Sequence, residues 1–129
     1  MVRPGLWSCG VVLALAMAAG SADAAGFDCS KAAAPDERAV CANPALSALD
    51  SEMTGLWYAY SRVPMLMGGN GERQTEAEEF LARRGKCGSD VACLKQAYDE
   101  RIATLQSNVT ASMNSMAPFI TGGGCSSGN

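Results

Sequence analysis

From Leu46 to Tyr60 the apolar side chains Leu46, Leu49, Met53, Leu56, Trp57 and Tyr60 recur at three- and four-residue spacing. That period sets them on one stripe of an α-helix. Asn43-Pro44 just ahead of it supplies an N-cap and a first-turn proline, and Pro64 should end or kink the helix. A longer run, Val91, Leu94, Tyr98, Ile102, Leu105, Val109, Met113 and Met116, keeps the same period and predicts the last helix. It should open near Ser89 or Asp90 and close at Pro118, leaving residues 117–129 as a flexible Gly/Ser-rich tail.

Between these two runs, Thr75 and Glu78 have the spacing of a capping box. They predict a helix with a narrow apolar face of Ala77, Phe80 and Leu81, with Arg83 and Arg84 near its C-terminal end, stopping around Gly85 to Gly88. A short helical turn is expected from Pro35 to about Cys41, and the glycine-rich segment from Pro64 to Gly71 reads as a loop. No stretch alternates apolar and polar residues long enough to make a strand. The fold class is therefore all-α, a small antiparallel helical bundle or hairpin.

The first residues change the domain picture. A single charge at Arg3, an apolar run from Gly10 to Ala19 and the ending Ala22-Asp23-Ala24 form a secretory leader with cleavage expected after Ala24. Cys9 precedes the apolar run, which is the wrong order for a lipobox. The mature chain is then one helical domain over residues 25–116 with the tail behind it. The formal charge is −3, and losing the leader leaves it unchanged because Arg3 and Asp23 depart together. That mild acidity argues against nucleic acid or an anionic membrane as partner. Nothing after the leader is apolar enough to anchor the mature chain in a membrane. The expected product is periplasmic or secreted.

Export turns the cysteines into a disulfide framework. Cys87 and Cys93 flank the turn between the last two helices, and Cys29 and Cys41 enclose the irregular N-terminal segment. Both pairs are expected to close, as two staples on the bundle. Cys125 is left over in the tail, as a free thiol or as the link in a disulfide-bonded dimer.

The chain has no histidine. That removes the commonest general base, the usual nucleophile triads and the commonest zinc ligand. The carboxylates that remain, Asp50 with Glu52 and the group Glu76, Glu78 and Glu79, have spacings that suit solvated faces or a helix N-terminus. No enzyme, no cofactor and no metal are expected. Asn108-Val109-Thr110 matches a glycosylation sequon but lies inside the expected last helix. Trp57, Tyr58 and Tyr60 could form a ligand platform, although Trp57 and Tyr60 fall on the apolar stripe and suit the core.

Residues alone lead to an exported helical binding module. Two stretches go further: Phe27-Asp28-Cys29 through Glu37, Cys41, Pro44, Leu46 and Leu49-Asp50, and Gln74 through Phe80-Leu81, Arg84, Cys87, Cys93-Leu94, Tyr98 and Arg101-Ile102 to Leu105. Together they resemble the LprI family of bacterial lysozyme inhibitors over nearly all of residues 27–105. The chain departs from that pattern with Phe80 in place of Trp, Trp57 in place of Tyr, Gly85 in place of Asp or Asn, and the additional Cys125. The resemblance implies an inhibitor that binds a lysozyme or related cell-wall hydrolase. The alternative is an envelope interaction or immunity module with a different protein target.

The candidate contact surface is the loop carrying Met65, Leu66 and Met67. The cation for an enzyme's carboxylates would come from Arg62 or Arg73 beside the loop, or from Lys86 at the hairpin turn. If Cys125 lies outside the fold, Cys125→Ser will abolish any reductant-sensitive dimer on non-reducing electrophoresis and leave the urea midpoint of the monomer unchanged.

Overall fold

A computed structural model describes residues 25–66 and 68–121. The leader, Met67, Cys125 and the tail beyond Thr121 lie outside the described residues. Four α-helices follow a 3-10 turn at Cys29–Lys31: α1 Pro35–Ala42, α2 Pro44–Ser61, α3 Gly69–Cys87 and α4 Val91–Thr121. No strand occurs among the described residues.

Local chemistry explains the helix starts. Glu37 Oε2 accepts the backbone N–H groups of Ala33 at 2.8 Å and Ala34 at 3.0 Å, serving orphan amides at the head of α1. These two bonds hold the Glu37 carboxyl below the ordinary value. Asn43 Oδ1 accepts from Ala45 N at 3.0 Å and Leu46 N at 3.2 Å, the expected N-cap of α2. Ser47 Oγ donates to Val40 O at 2.7 Å and ties the first turn of α2 back to α1.

The disulfides Cys29–Cys41 and Cys87–Cys93 are both formed, with Cα–Cα separations of 5.7 and 5.5 Å. The first holds the 3-10 turn against α1, and the second closes the corner between α3 and α4. Arg84 of α3 meets Asp50 of α2 while Arg73, near the start of α3, covers Tyr60 near the end of α2. These two helices are thus antiparallel. α3 and α4 form an antiparallel hairpin, so α2 and α4 run the same way, and their contact is the most extensive in the bundle.

Val40, Leu46, Phe80, Leu94, Ala97, Tyr98 and Ile102 make the core. The rings of Phe80 and Tyr98 meet edge to face at 5.4 Å between centroids. Leu105 is also fully buried, whereas Val91, which opens the expected α4 stripe, and Met113, near its end, are exposed. Trp57 and Tyr60 pack edge to face at 6.4 Å, and only Tyr60 of the two is buried.

Buried charge lies at the centre. Asp36 of α1, Asp50 of α2, Arg84 of α3 and Tyr98 of α4 converge there, each 8 % exposed or less. Arg84 Nε donates to Asp36 Oδ2 at 2.8 Å, and its Nη1 donates to the Tyr98 hydroxyl at 3.4 Å. Tyr98 donates in turn to Asp50 Oδ1 at 2.7 Å. Burial first, and then the Asp50 carboxylate, push the Tyr98 phenol well above its ordinary value. Tyr98 therefore remains a proton donor throughout the neutral range.

Three expectations change. α3 begins at Gly69, before Thr75, and absorbs the last three residues of the expected loop. Gly68 makes the turn at φ 100°, a conformation that favours glycine, and Arg73 is drawn into the interior, which winds the preceding turns into helix. Thr75 Oγ1 donates to Gly71 O at 3.1 Å within that helix, and Glu78 takes an amide hydrogen of Gln74, so neither residue caps anything. The inward face of α3 is Arg73, Phe80 and Arg84, while Leu81 is 52 % exposed. Lastly, α4 continues through Pro118 to Thr121, because a proline that near the end costs one ladder bond and not the helix.

Replacing Arg84 by Met leaves two buried carboxylates without their cation. Urea unfolding should show a loss of about 3–5 kcal/mol. The exposed pair of Lys95 with Asp99, at 2.5 Å, provides the contrast: Lys95→Ala should stay within about 0.5 kcal/mol of the parent.

Candidate protein-interaction surface

The turn from α2 to α3 presents the most outward apolar group of the described chain. Leu66 is 91 % exposed. Met65, its neighbour, is half-buried because it folds back on Gly69, where an added Cβ would come within 3.0 Å of the Met65 sulfur. Beside Leu66, Arg62 caps the end of α2. Its guanidinium lies 4.7 Å over the Tyr58 ring and donates to the Tyr58 hydroxyl at 3.1 Å. Tyr58 itself is 60 % exposed. The stacking orders the arginine while leaving its charge at the surface, and Tyr and Arg are the residue types that most often anchor protein interfaces.

The structure separates the three candidate cations. Arg62 is outward, as expected. Arg73 is not a surface group: it is 5 % exposed, with its guanidinium 4.6 Å from the Tyr60 ring centre and donating to Val63 O at 2.9 Å. Its Nε has no hydrogen-bond partner among the described residues, so the ring and one carbonyl compensate its desolvation. Tyr60, just inside α2, offers a buried ring face that water would otherwise leave empty, and this is what draws Arg73 in. Lys86 is exposed but lies near the opposite end of α3. The helical rise sets it roughly 25 Å from the loop, so the two cannot form one patch.

Tyr58, grouped in the sequence with Trp57 and Tyr60 as a possible ligand platform, stands apart from both, exposed beside Arg62. It falls off the apolar stripe of α2, and an aromatic displaced from its helix's buried face was the available signal. The carboxylate pairs weighed as catalytic groups do not pair. Asp50 points into the core, while Glu52 is exposed and accepts from Gln106 Nε2 of α4 at 3.3 Å. Glu76 faces Arg101 at 3.4 Å, and Glu78 is taken up by Gln74.

Several depressions flank the helices. A cleft of about 550 Å³ between α3 and α4 is lined by Glu76, Glu79, Arg83, Glu100, Arg101 and Thr104. Arg83 pairs there with Glu100 at 2.8 Å, and Arg101 with Glu76 at 3.4 Å. A smaller groove of about 190 Å³ is apolar, with Met53, Trp57, Ala77, Phe80 and Leu81 around the Arg101 guanidinium. Arg101 stacks 5.6 Å from the Trp57 ring centre. No group of three or more His, Cys, Asp or Glu among the described residues could hold a metal ion. No helix among them is long and apolar enough to cross a membrane.

No protein-family model, curated protein or solved structure matches the chain. The likeness to LprI proteins therefore rests on the residues named above.

The different placement of the two arginines is measurable. Arg73→Ala should destabilise the fold by about 2 kcal/mol or more, through loss of a desolvated cation–π contact and of packing. Arg62→Ala and Leu66→Ser should each remain within about 0.5 kcal/mol of the parent in urea unfolding.

Proposed function

We propose that this chain is an exported inhibitor that blocks a lysozyme-class peptidoglycan hydrolase by binding across its cleft. One observation carries the reading: an almost fully exposed Leu66 on the turn joining two helices of a disulfide-stapled bundle, four residues after Arg62, which stacks on Tyr58 at the end of α2. Glycoside hydrolases of this class work with two carboxylates in an open groove. A rigid protrusion offering an apolar tip and one preorganised cation is chemically suited to that groove. The resemblance to the LprI family points the same way. The net charge of −3 favours encounter with a basic enzyme, mainly through the association rate, and that contribution weakens with salt.

Turnover of labelled cell walls by c-type, g-type and endogenous lysozymes, measured with the purified mature protein, tests the reading. Inhibition at micromolar concentration is expected, and combining Tyr58→Ala with Leu66→Ser should raise the half-inhibitory concentration roughly tenfold or more with the helical circular dichroism unchanged. Undiminished turnover of all three enzymes would reject inhibition and favour an envelope or immunity module directed at another protein.

A further inference from the structure

The central charge cluster is short of one cation. Two buried carboxylates, Asp36 and Asp50, share the single guanidinium of Arg84, which reaches Asp36 at 2.8 Å but Asp50 only at 3.8 Å. The second oxygen of Asp50 turns away from that network, toward the start of the domain, where it accepts the backbone N–H of Gly26 at 2.7 Å.

The segment carrying that N–H is closely seated. A Cβ on Gly26 would fall 2.1 Å from Thr54 Oγ1 and 2.7 Å from Thr54 Cβ, so the backbone lies directly against α2 and only glycine fits. Ala25 and Phe27, on either side, both pack on the core. The ring of Phe27 lies 5.6 Å from the Arg84 guanidinium.

Ala25 is also the residue that leader cleavage after Ala24 would make the first. Hydrolysis of the Ala24–Ala25 peptide bond by a leader peptidase consumes one water. The leader departs with a new carboxylate, and Ala25 gains an amino group that is protonated at neutral pH. One residue of chain spans at most about 3.6 Å. The new ammonium is therefore within roughly 6 Å of Asp50, a range over which opposite charges stabilise one another strongly when partly buried.

We propose that leader removal is a completing step for this fold: it creates at Ala25 a second cation for the two carboxylates that share Arg84, and the processed chain is held by an α-ammonium–Asp50 ion pair that the precursor cannot form. The proposal depends on export and cleavage after Ala24, and is independent of the lysozyme reading. The groups bearing on the new ammonium are Asp50 from α2, Asp36 from α1, Arg84 from α3 and the Tyr98 phenol from α4. The ion pair raises the amine's proton affinity in the folded state. Its contribution to stability is then fully present below the unfolded amine's value of about 8 and is lost as pH rises through the higher folded value.

The full chain, exported and purified after processing, provides the test. Intact mass and N-terminal sequencing should find Ala25 first, and a mature chain starting at any other residue overturns the proposal at its first step. The pH midpoint of α-amine labelling by fluorodinitrobenzene should lie higher in the folded protein than in urea. That difference should vanish in Asp50→Asn. A second variant, with Ala and Ser inserted after Ala24, displaces the amine without touching the core. It should label with the same midpoint folded and unfolded, and fold with an equilibrium constant roughly tenfold lower at pH 7, matching a tenfold loss in the amine's proton affinity. The stability gap should close at high pH. Equal labelling midpoints in the folded and unfolded parent, or an inserted variant as stable as the parent at pH 7, would show that the amine does not meet Asp50.

Discussion

The bundle depends on one buried guanidinium. Arg84 is the point at which all four helices meet: α1 through Asp36, α2 through Asp50, α4 through Tyr98, and α3 as its own support. The geometry is demanding, because a buried ion pair is favourable only when its remaining donors and acceptors are met. Tyr98 does much of that work, accepting from Arg84 and donating to Asp50. A domain of this size has a limited apolar core. A charge network that tolerates one relative placement of four helices supplies a specificity that aliphatic packing alone would leave looser.

The same pattern recurs at smaller scale. Arg73 covers Tyr60 and Arg101 covers Trp57, so each of the three buried arginines among the described residues lies against an aromatic ring, as Arg84 does against Phe27. Guanidinium groups suit this because they are planar and weakly hydrated, and can stack while still donating hydrogen bonds at their edges. The consequence for the surface is direct. Arg73, which reads in the sequence as a cation available to a partner, is taken up inside, and the exposed positive charge near the α2–α3 turn narrows to Arg62.

The disulfides and the exposed Leu66 turn lie at different places in the bundle. The disulfides Cys29–Cys41 and Cys87–Cys93 and the Arg84 network stiffen the region around α1 and the α3–α4 corner. Tyr58, Arg62 and Leu66 stand at the other end of α2, on a short turn bounded by Gly68. A turn held between two packed helices can display an apolar side chain to solvent without unravelling, which is the property a protruding contact needs.

Helix identity, the starts of α1 and α2, both disulfide pairings and most of the α2 and α4 stripes were legible in the amino-acid sequence. They are local, because a 3.6-residue period, a capping asparagine or two cysteines flanking a turn act over a few residues. Sequence also determined which groups were present to act: no histidine, a mild negative charge, and an apolar segment beside Arg62. The tertiary structure alone decided where the charged side chains went. Nothing in the run of residues separates Arg73 from Arg62, and although Arg84 follows Phe80 by four residues on one helix face, nothing local says that two carboxylates meet it there. The difference is whether a carboxylate or an aromatic ring from another helix waits at that point in space, and such a partner can be 48 residues away, as Asp36 is from Arg84. The early start of α3 has the same cause. Burial of Arg73 winds a glycine-rich segment whose own propensity is for a loop, because the free energy of a long-range contact outweighs the preference of the residues that lead to it.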